Sequence, residues 1–220
     1  MKKFAVIVAG GTGTRMQSKV PKQFMGLKGR PVLWYTLKAF LEAYDDLQII
    51  LVLRAENMEH GLAIAKTTSH PHRIKITAGG ETRFHSVKNG LALTEDNSIV
   101  FVHDAVRCLI KAELIHRCYE HAIEHGSAIP AIHATDSIRL DNGNGPETVD
   151  RNQVYIIQTP QTFQSGTLKA AFDQPYSESF TDEATVAEAA GIKIHIVEGH
   201  PANIKLTRPE DLKVAEVLLD

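Results

Sequence analysis

Short apolar runs alternate along this chain with longer segments whose apolar residues recur at helical spacing. Phe4–Ala9 reads as a first strand, followed by a glycine-rich loop through Lys22 and a helix over Pro31–Tyr44. Gln48–Leu53 and Arg73–Thr77 read as the next two strands, with a helix over Glu56–Thr67 between them. A helix over Phe84–Leu93, a strand over Ser98–Val102, a helix over Ala112–His125 and a strand over Ala128–Ile132 continue the rhythm. Strands and helices of these lengths in alternation predict an α/β fold, a three-layer Rossmann-like sandwich around a mostly parallel sheet.

The rhythm breaks over Thr135–Ile157. There the turn cluster Asp141-Asn142-Gly143-Asn144-Gly145-Pro146 lies between two extended stretches with little apolar content. Residues 135–157 are therefore expected to form a β-hairpin arm projecting from a single domain that spans 1–220. Helices near Gly166–Phe172 and Asp182–Ala190, a strand over Lys193–Val197 and a closing helix to Leu219 follow. Thr207, with Glu210 three residues later, reads as a capping box for that last helix.

Composition narrows the function. A formal net charge of −2 leaves no broad cationic face for a nucleic-acid duplex, so any bound anion must be met by a few local cations. The opening apolar run is too short for a secretory or membrane segment. Cys108 and Cys118 are the only cysteines and lack metal-ligand spacing, which suits a reducing cytoplasm. His116, His121 and His125 share one predicted helix but have no acidic partner in a zinc pattern, so a solvated face is expected of them.

The sharpest local signal is Ala9-Gly10-Gly11-Thr12-Gly13-Thr14-Arg15-Met16, directly after the first strand. Glycines at the carboxyl end of a parallel strand let backbone N–H groups crowd a polyphosphate without Cβ clashes. A Walker loop would need Gly-Lys-Ser/Thr at its end, and Gly13 is followed by Thr14 and Arg15. A dinucleotide fingerprint from Gly11 would need glycine or alanine where Met16 stands. It would also need an acidic ribose ligand about 20 residues on, which is not placed there. What remains is a glycine loop with its own cations, Arg15 and then Lys22 in Pro21-Lys22-Gln23, able to bracket a triphosphate and stabilise a leaving pyrophosphate. The competing reading is a tight strand-to-helix turn with exposed basic residues.

This segment resembles the signature of sugar-nucleotide pyrophosphorylases and related nucleotidyltransferases. Four further segments are similar, in order, to the methylerythritol phosphate cytidylyltransferases of the non-mevalonate isoprenoid pathway. They are Gly79-Gly80-Glu81-Thr82-Arg83 with Ser86, His103-Asp104-Ala105-Val106-Arg107, Val149-Asp150-Arg151 with Gln158-Thr159-Pro160-Gln161, and Asn203-Ile204-Lys205-Leu206-Thr207-Arg208-Pro209. The resemblance covers essentially the whole chain. It implies the nucleotidyltransferase version of the sandwich and a cytidylyltransferase that joins CMP from CTP to a methylerythritol phosphate with release of pyrophosphate. It implies Arg15, Lys22 and Lys205 as catalytic cations. CTP would be held by Ala9, Gly10, Gly11, Thr12, Gly13, Gly79, Gly80, Glu81 and Ser86. The polyol phosphate would meet Asp104, Arg107, Ser137, Arg151, Thr159 and Lys205. Mg2+ or another divalent cation would sit on Asp104, whose bland alternative is a helix cap paired with Arg107.

The resemblance further implies a homodimer in which the arm, with Arg151 on its returning strand, reaches the partner's substrate. Guanidinium suits that role because it grips phosphate bidentately and stays charged. Ser137 stands where the family commonly has Thr and keeps the hydroxyl. Cys108 departs from the proline expected after Arg107. His103 is expected to be packed rather than a ligand or base, and Thr181-Asp182-Glu183 to cap a helix. A ribitol 5-phosphate cytidylyltransferase shares most of these motifs, and a non-catalytic nucleotide-sensing domain is the rival from another class. The Thr-Val-Asp-Arg and Thr-Asp-Glu-Ala segments favour the methylerythritol acceptor.

Overall fold

The computed structural model describes residues 1–11, 20–143 and 145–219. The first half holds strands β1 (Lys2–Val8), β2 (Gly26–Leu27), β3 (Arg30–Pro31), β4 (Gln48–Leu53), β5 (Ile74–Ala78) and β6 (Ser98–Asp104). Among them lie helices α1 (Val32–Ala43), α2 (Met58–Ala65) and α3 (Arg83–Leu91). The second half runs α4 (Ala112–His125), β7 (Ser127–His133), β8 (Ile138–Asp141), β9 (Pro146–Val149), β10 (Tyr155–Ile157) and β11 (Gln161–Gln164). It closes with α5 (Ser165–Ala171), α6 (Glu183–Ala189), β12 (Ile196–Glu198) and α7 (Pro209–Leu218).

The sheet order is β10-β7-β11-β6-β1-β4-β5, with β12 also on β7. Strands β5, β4, β1 and β6 run parallel, as the sequence rhythm predicts. Successive side chains of a strand point to opposite faces, and both faces here are covered. Ala5, Ile7, Ile49, Leu51 and Phe101 join Leu37 and Phe40 of α1 and Ile115 of α4 on one side. Phe4, Val6, Ile50, Val52 and Val100 join Val87 of α3 and Leu168 of α5 on the other. This two-sided burial explains why the strands read as continuous apolar runs, and it makes the three layers. Each fully buried Leu, Ile or Phe contributes roughly 1.5–3 kcal/mol of transfer free energy. No described helix is long and apolar enough to cross a membrane.

Four features depart from the sequence reading. β11 inserts antiparallel between β6 and β7, where no strand is expected. The arm is shorter than 135–157: β8 and β9 pair only with each other among the described strands, whereas Tyr155–Ile157 returns to the main sheet, antiparallel to β7. Tyr155 and Ile156 stay exposed there, so backbone pairing with β7 rather than burial places this segment in the sheet. β12 is only three residues long, so the strand expected over Lys193–Val197 forms mainly at its end. The cap of α7 is not Thr207 with Glu210. Asp211 reaches back instead and accepts from the N–H groups of Thr207 and Arg208 at 2.6 and 2.8 Å.

Candidate active site

Four loops meet at the carboxyl edge of the parallel strands because the sheet's hydrogen bonding runs one residue past three of them. Ala9 N–H donates to the Val52 carbonyl at 2.8 Å, Gly79 N–H to Leu53 at 2.7 Å, and Ala105 N–H to Val8 at 3.1 Å. The loop before α7 joins them where Leu206 N–H donates to the Val106 carbonyl at 3.0 Å. They enclose a cleft of about 330 Å³. Its described lining includes Ala9, Gly10, Gly11, Lys22, Gly80, Glu81, Arg83, Ser86, Asp104 and Lys205. Open α/β sheets bind their ligands at this edge.

Gly79 and Gly80 are required by close approach. A Cβ on Gly79 would lie 2.7 Å from Ser86 Oγ, and one on Gly80 would lie 2.5 Å from the Cβ of His85. Ser86 Oγ accepts from Gly80 N–H at 3.1 Å and donates to the Thr82 carbonyl at 2.9 Å, so it shapes this loop from within. Lys22 donates to the Leu206 carbonyl at 3.2 Å, and the neighbouring Gln23 side chain donates to the Ala9 carbonyl at 2.8 Å. The lysine segment is thereby tied both to the start of the glycine loop and to the loop carrying Lys205. Thr12, Gly13 and Arg15, on which the expected triphosphate cradle also rests, lie outside the described residues.

Asp104, the last residue of β6, is the one acid at the centre of a group of cations. Lys205 Nζ stands 2.8 Å from Oδ2, Arg83 Nη2 3.5 Å from Oδ1, and Arg107 Nε 3.9 Å from Oδ2. Burial acts to raise the Asp104 carboxyl. Arg83, Lys205 and Arg107 together outweigh it and hold the group well below the usual carboxylate range. Burial also acts against the Arg83 charge, but Glu183, Asp104 and Asp182 reverse that and push the guanidinium above its ordinary value.

Behind Asp104 the fold supplies a neutral relay. Thr159 Oγ1 accepts from the Asp104 N–H at 3.2 Å and lies 3.0 Å from His103 Nδ1. The other ring nitrogen, Nε2, is 3.2 Å from the Arg107 carbonyl, which can only accept. That assigns the proton to Nε2 and makes Nδ1 the acceptor of the Thr159 hydroxyl. Burial pushes His103 down to about 3, in keeping with a neutral ring. His103 is thus packed and committed, as expected, and is no general base.

Several anticipated residues make contacts within the chain or lie outside its cleft lining. Thr159 is buried with its hydroxyl spent on Asp104 and His103, and the polyol contact expected of it has no support in this geometry. Arg107 gives its two Nη groups to the carbonyls of Asn203 (2.8 Å) and Ile157 (3.4 Å), which ties loops together beside the cleft. Its Nε and the Oδ1 of Asn203 are buried without a hydrogen-bond partner. Arg151 is not on a strand. It opens a 3-10 turn after β9 and donates to the Thr135 carbonyl at 2.8 Å, closing the base of the arm. Ser137 lies exposed just before β8, and neither it nor Arg151 lines this chain's own cleft. Cys108 sits among Leu27, Val32, Leu109 and Leu206, with burial pushing its thiol up to about 12. The rings of His121, His125 and His195 adjoin, but among the described residues no group of three His, Cys, Asp or Glu could hold a metal.

Two residues were passed over in the sequence. Arg83 lies inside a quoted motif with no role of its own, and Glu183 reads as part of a helix cap. Their pairing, at 2.5 and 3.0 Å, spans 100 residues and leaves no mark in either segment.

As to metal, the described cleft lining carries two carboxylates, Asp104 and Glu81, too few to collect an octahedral set of oxygens by themselves. Magnesium typically takes one or two carboxylates and completes its shell with phosphates and water. Asp104 therefore fits an ion that arrives with a nucleotide's phosphates.

Known proteins agree with this architecture. The family model described as IspD, 2-C-methyl-D-erythritol 4-phosphate cytidylyltransferase, matches residues 4–220. A relative of that name from Bacteroides thetaiotaomicron is 45% identical, with all of both chains covered. One from Porphyromonas gingivalis is 42% identical, covering 99% of this chain and 98% of its own. Among solved structures, the Francisella tularensis enzyme of the same name is 31% identical with a TM-score of 0.81 over 100% of both chains. The 4-diphosphocytidyl-2C-methyl-D-erythritol synthase of Anaerococcus prevotii is 28% identical with a TM-score of 0.85, covering 99% of this chain and 96% of its own. The chain belongs to the 2-C-methyl-D-erythritol 4-phosphate cytidylyltransferase family.

Proposed function

We propose that this protein transfers the cytidylyl group of CTP to the phosphate of 2-C-methyl-D-erythritol 4-phosphate, giving 4-diphosphocytidyl-2-C-methyl-D-erythritol and pyrophosphate. The observation that carries the chemistry is the cleft itself: glycine-lined, ringed by Lys22, Arg83 and Lys205, with the ionised Asp104 carboxylate held among these cations. The reaction needs no side-chain base. A phosphate monoester, with a second pKa of roughly 6, is largely dianionic at neutral pH and attacks as it stands. One of its oxygens forms a bond to the α-phosphorus of CTP while the bond to the bridging oxygen breaks and pyrophosphate leaves. What opposes the step is repulsion between two polyanions, which positioning and fixed cations overcome.

In this reading Lys22, with Arg15, stabilises the charge growing on the leaving pyrophosphate, and Lys205 draws in the acceptor phosphate. The loops at Gly10–Gly11 and Gly79–Gly80 give the close backbone approach that a nucleotide needs, and Ser86 fixes the shape of the second loop. Asp104 would hold a magnesium ion, which supplies charge neutralisation to the nucleotide phosphates when bound. Arg107 acts mainly by holding the Asn203 and Ile157 backbones. The arm, with Ser137 and Arg151 outside the lining of this chain's own cleft, suits a homodimer in which each arm completes the partner's acceptor site. The two buried thiols suit the reducing cytoplasm.

Pyrophosphate release by the purified protein tests the proposal, with CTP and magnesium and either methylerythritol phosphate, ribitol 5-phosphate or no acceptor. Release only with methylerythritol phosphate, abolished by EDTA and restored by magnesium, is expected. Preference for ribitol 5-phosphate would move the pathway, and activity in EDTA would remove the metal from Asp104.

A further inference from the structure

Glu183 opens α6 with a fully buried side chain that does not line the cleft. Its carboxylate takes both ends of the Arg83 guanidinium, Nη1 to Oε1 at 2.5 Å and Nη2 to Oε2 at 3.0 Å. The same Nη2 lies 3.5 Å from Asp104 Oδ1. Arg83 therefore bridges two carboxylates, one behind the cleft wall and one inside the cleft.

The start of α6 is itself pinned. Gln161 accepts from Ala184 N–H at 2.7 Å and donates to Asp182 Oδ2 at 2.8 Å, while Asp182 and Thr185 close a capping box. Gln161 is two residues from Thr159, which grips the Asp104 backbone. Both the carboxylate and the backbone of Asp104 are thus referred to the same corner of the fold. Asp182 already caps α6, so Glu183 is not needed for that purpose. A fully buried carboxylate is costly, and an apolar side chain often replaces a buried ion pair without loss of stability.

We infer that Glu183 is a positioning residue for the reaction, fixing the plane of Arg83 and through it the place of Asp104 at the cleft edge. Without the Glu183 charge, both Nη groups of Arg83 are free to close on Asp104 as a bidentate pair, which carboxylate and guanidinium favour. That would draw the Asp104 carboxylate away from Lys205 and from the reacting phosphates, whereas the glycine-loop contacts to the nucleotide would stay in place.

This inference rests on the cytidylyltransferase reading, and a double-mutant cycle separates the two. Glu183→Gln, Arg83→Lys and the double variant are compared with wild type at a temperature where circular dichroism shows all of them folded. Glu183→Gln is expected to lower kcat about tenfold or more, the scale on which small misplacements act, with KM for CTP changed less than about threefold. The double variant should be no slower than Arg83→Lys alone. A folded Glu183→Gln with wild-type kcat, or losses that add in full, would overturn the inference while leaving the reaction intact. If Glu183→Gln does not accumulate folded, Glu183→Asp withdraws the carboxylate by one methylene and should show the same split in kcat. Unaltered turnover there would be equally fatal. If wild type transfers no cytidylyl group at all, the parent reading fails. The cycle is then read in thermal stability by circular dichroism, where non-additivity supports the Glu183–Arg83 link and additivity refutes it.

Discussion

Thr159→Val separates what the structure assigns to Thr159 from what the resemblance implies. Valine preserves shape, so no cavity forms, and only the hydroxyl is lost. In the folded protein that hydroxyl is the acceptor for the Asp104 N–H at 3.2 Å and the partner of His103 Nδ1 at 3.0 Å. Both groups are buried, and each one orphaned costs about 1–3 kcal/mol. A total of about 3 kcal/mol lowers Tm by roughly 6–12 °C in a chain of this size. Because the Asp104 backbone loses its tether, kcat should also fall, by about tenfold, with little change in KM for the acceptor. Thr159→Ser, which keeps the hydroxyl, should lie near wild type in both respects. Thermal melts followed by circular dichroism, with steady-state pyrophosphate release at a temperature where all variants are folded, make the comparison. A wild-type Tm combined with a raised acceptor KM would refute the relay and return Thr159 to the substrate.

Lys22→Ala should depress turnover by about 10²-fold while CTP affinity, measured by calorimetry, changes far less, because the lysine acts on charge that grows in the transition state. Near-wild-type turnover would remove it from that role. Gly80→Ala places a Cβ 2.5 Å from the Cβ of His85 and should cost about 1–3 kcal/mol in Tm measurements and weaken CTP binding, since the displaced loop lines the cleft. Between pH 7 and pH 5 His103 should contribute a loss of stability. The unfolded chain takes its proton near 6.5 but the folded one only near 3, so the stability from the neutral ring is complete above about 6.5 and falls as pH drops toward 3. At pH 5 the difference is about 2 kcal/mol. Denaturant unfolding should show wild type losing that much more than His103→Gln, and parallel pH profiles would contradict a buried neutral ring.

The parallel half of the fold could be read from the chain because strands buried on both faces must be continuously apolar. Gln48–Leu53 occupies the limits expected of it, and Ala112–His125 does too, stopped by Gly126 at φ +86°. The antiparallel half was harder to read. β11 is four residues with glutamines at both ends, and its burial comes from neighbours far away in sequence. Tyr155–Ile157 reads as part of the arm because its partner, β7, lies before the hairpin and nothing local names it. At the site, glycine at 79 and 80 and Asp104 stand out because each residue type has a chemical reason to follow a strand, whereas Lys205 is marked only by the family resemblance.

The sequence by itself determined the alternation of strands and helices, the glycine positions where backbones approach closely, and the supply of cations to the loops at one sheet edge. Those are local requirements, satisfied by residue type and spacing. Only the tertiary structure decided which of those cations meet Asp104, that Thr159 and His103 face inward to hold it, and that Glu183 stands behind Arg83. Ion pairs and hydrogen bonds act over a few ångströms. Whether residues 55 or 100 positions apart come that close depends on the order of the strands and the burial of their loops, and neither is written in any one segment.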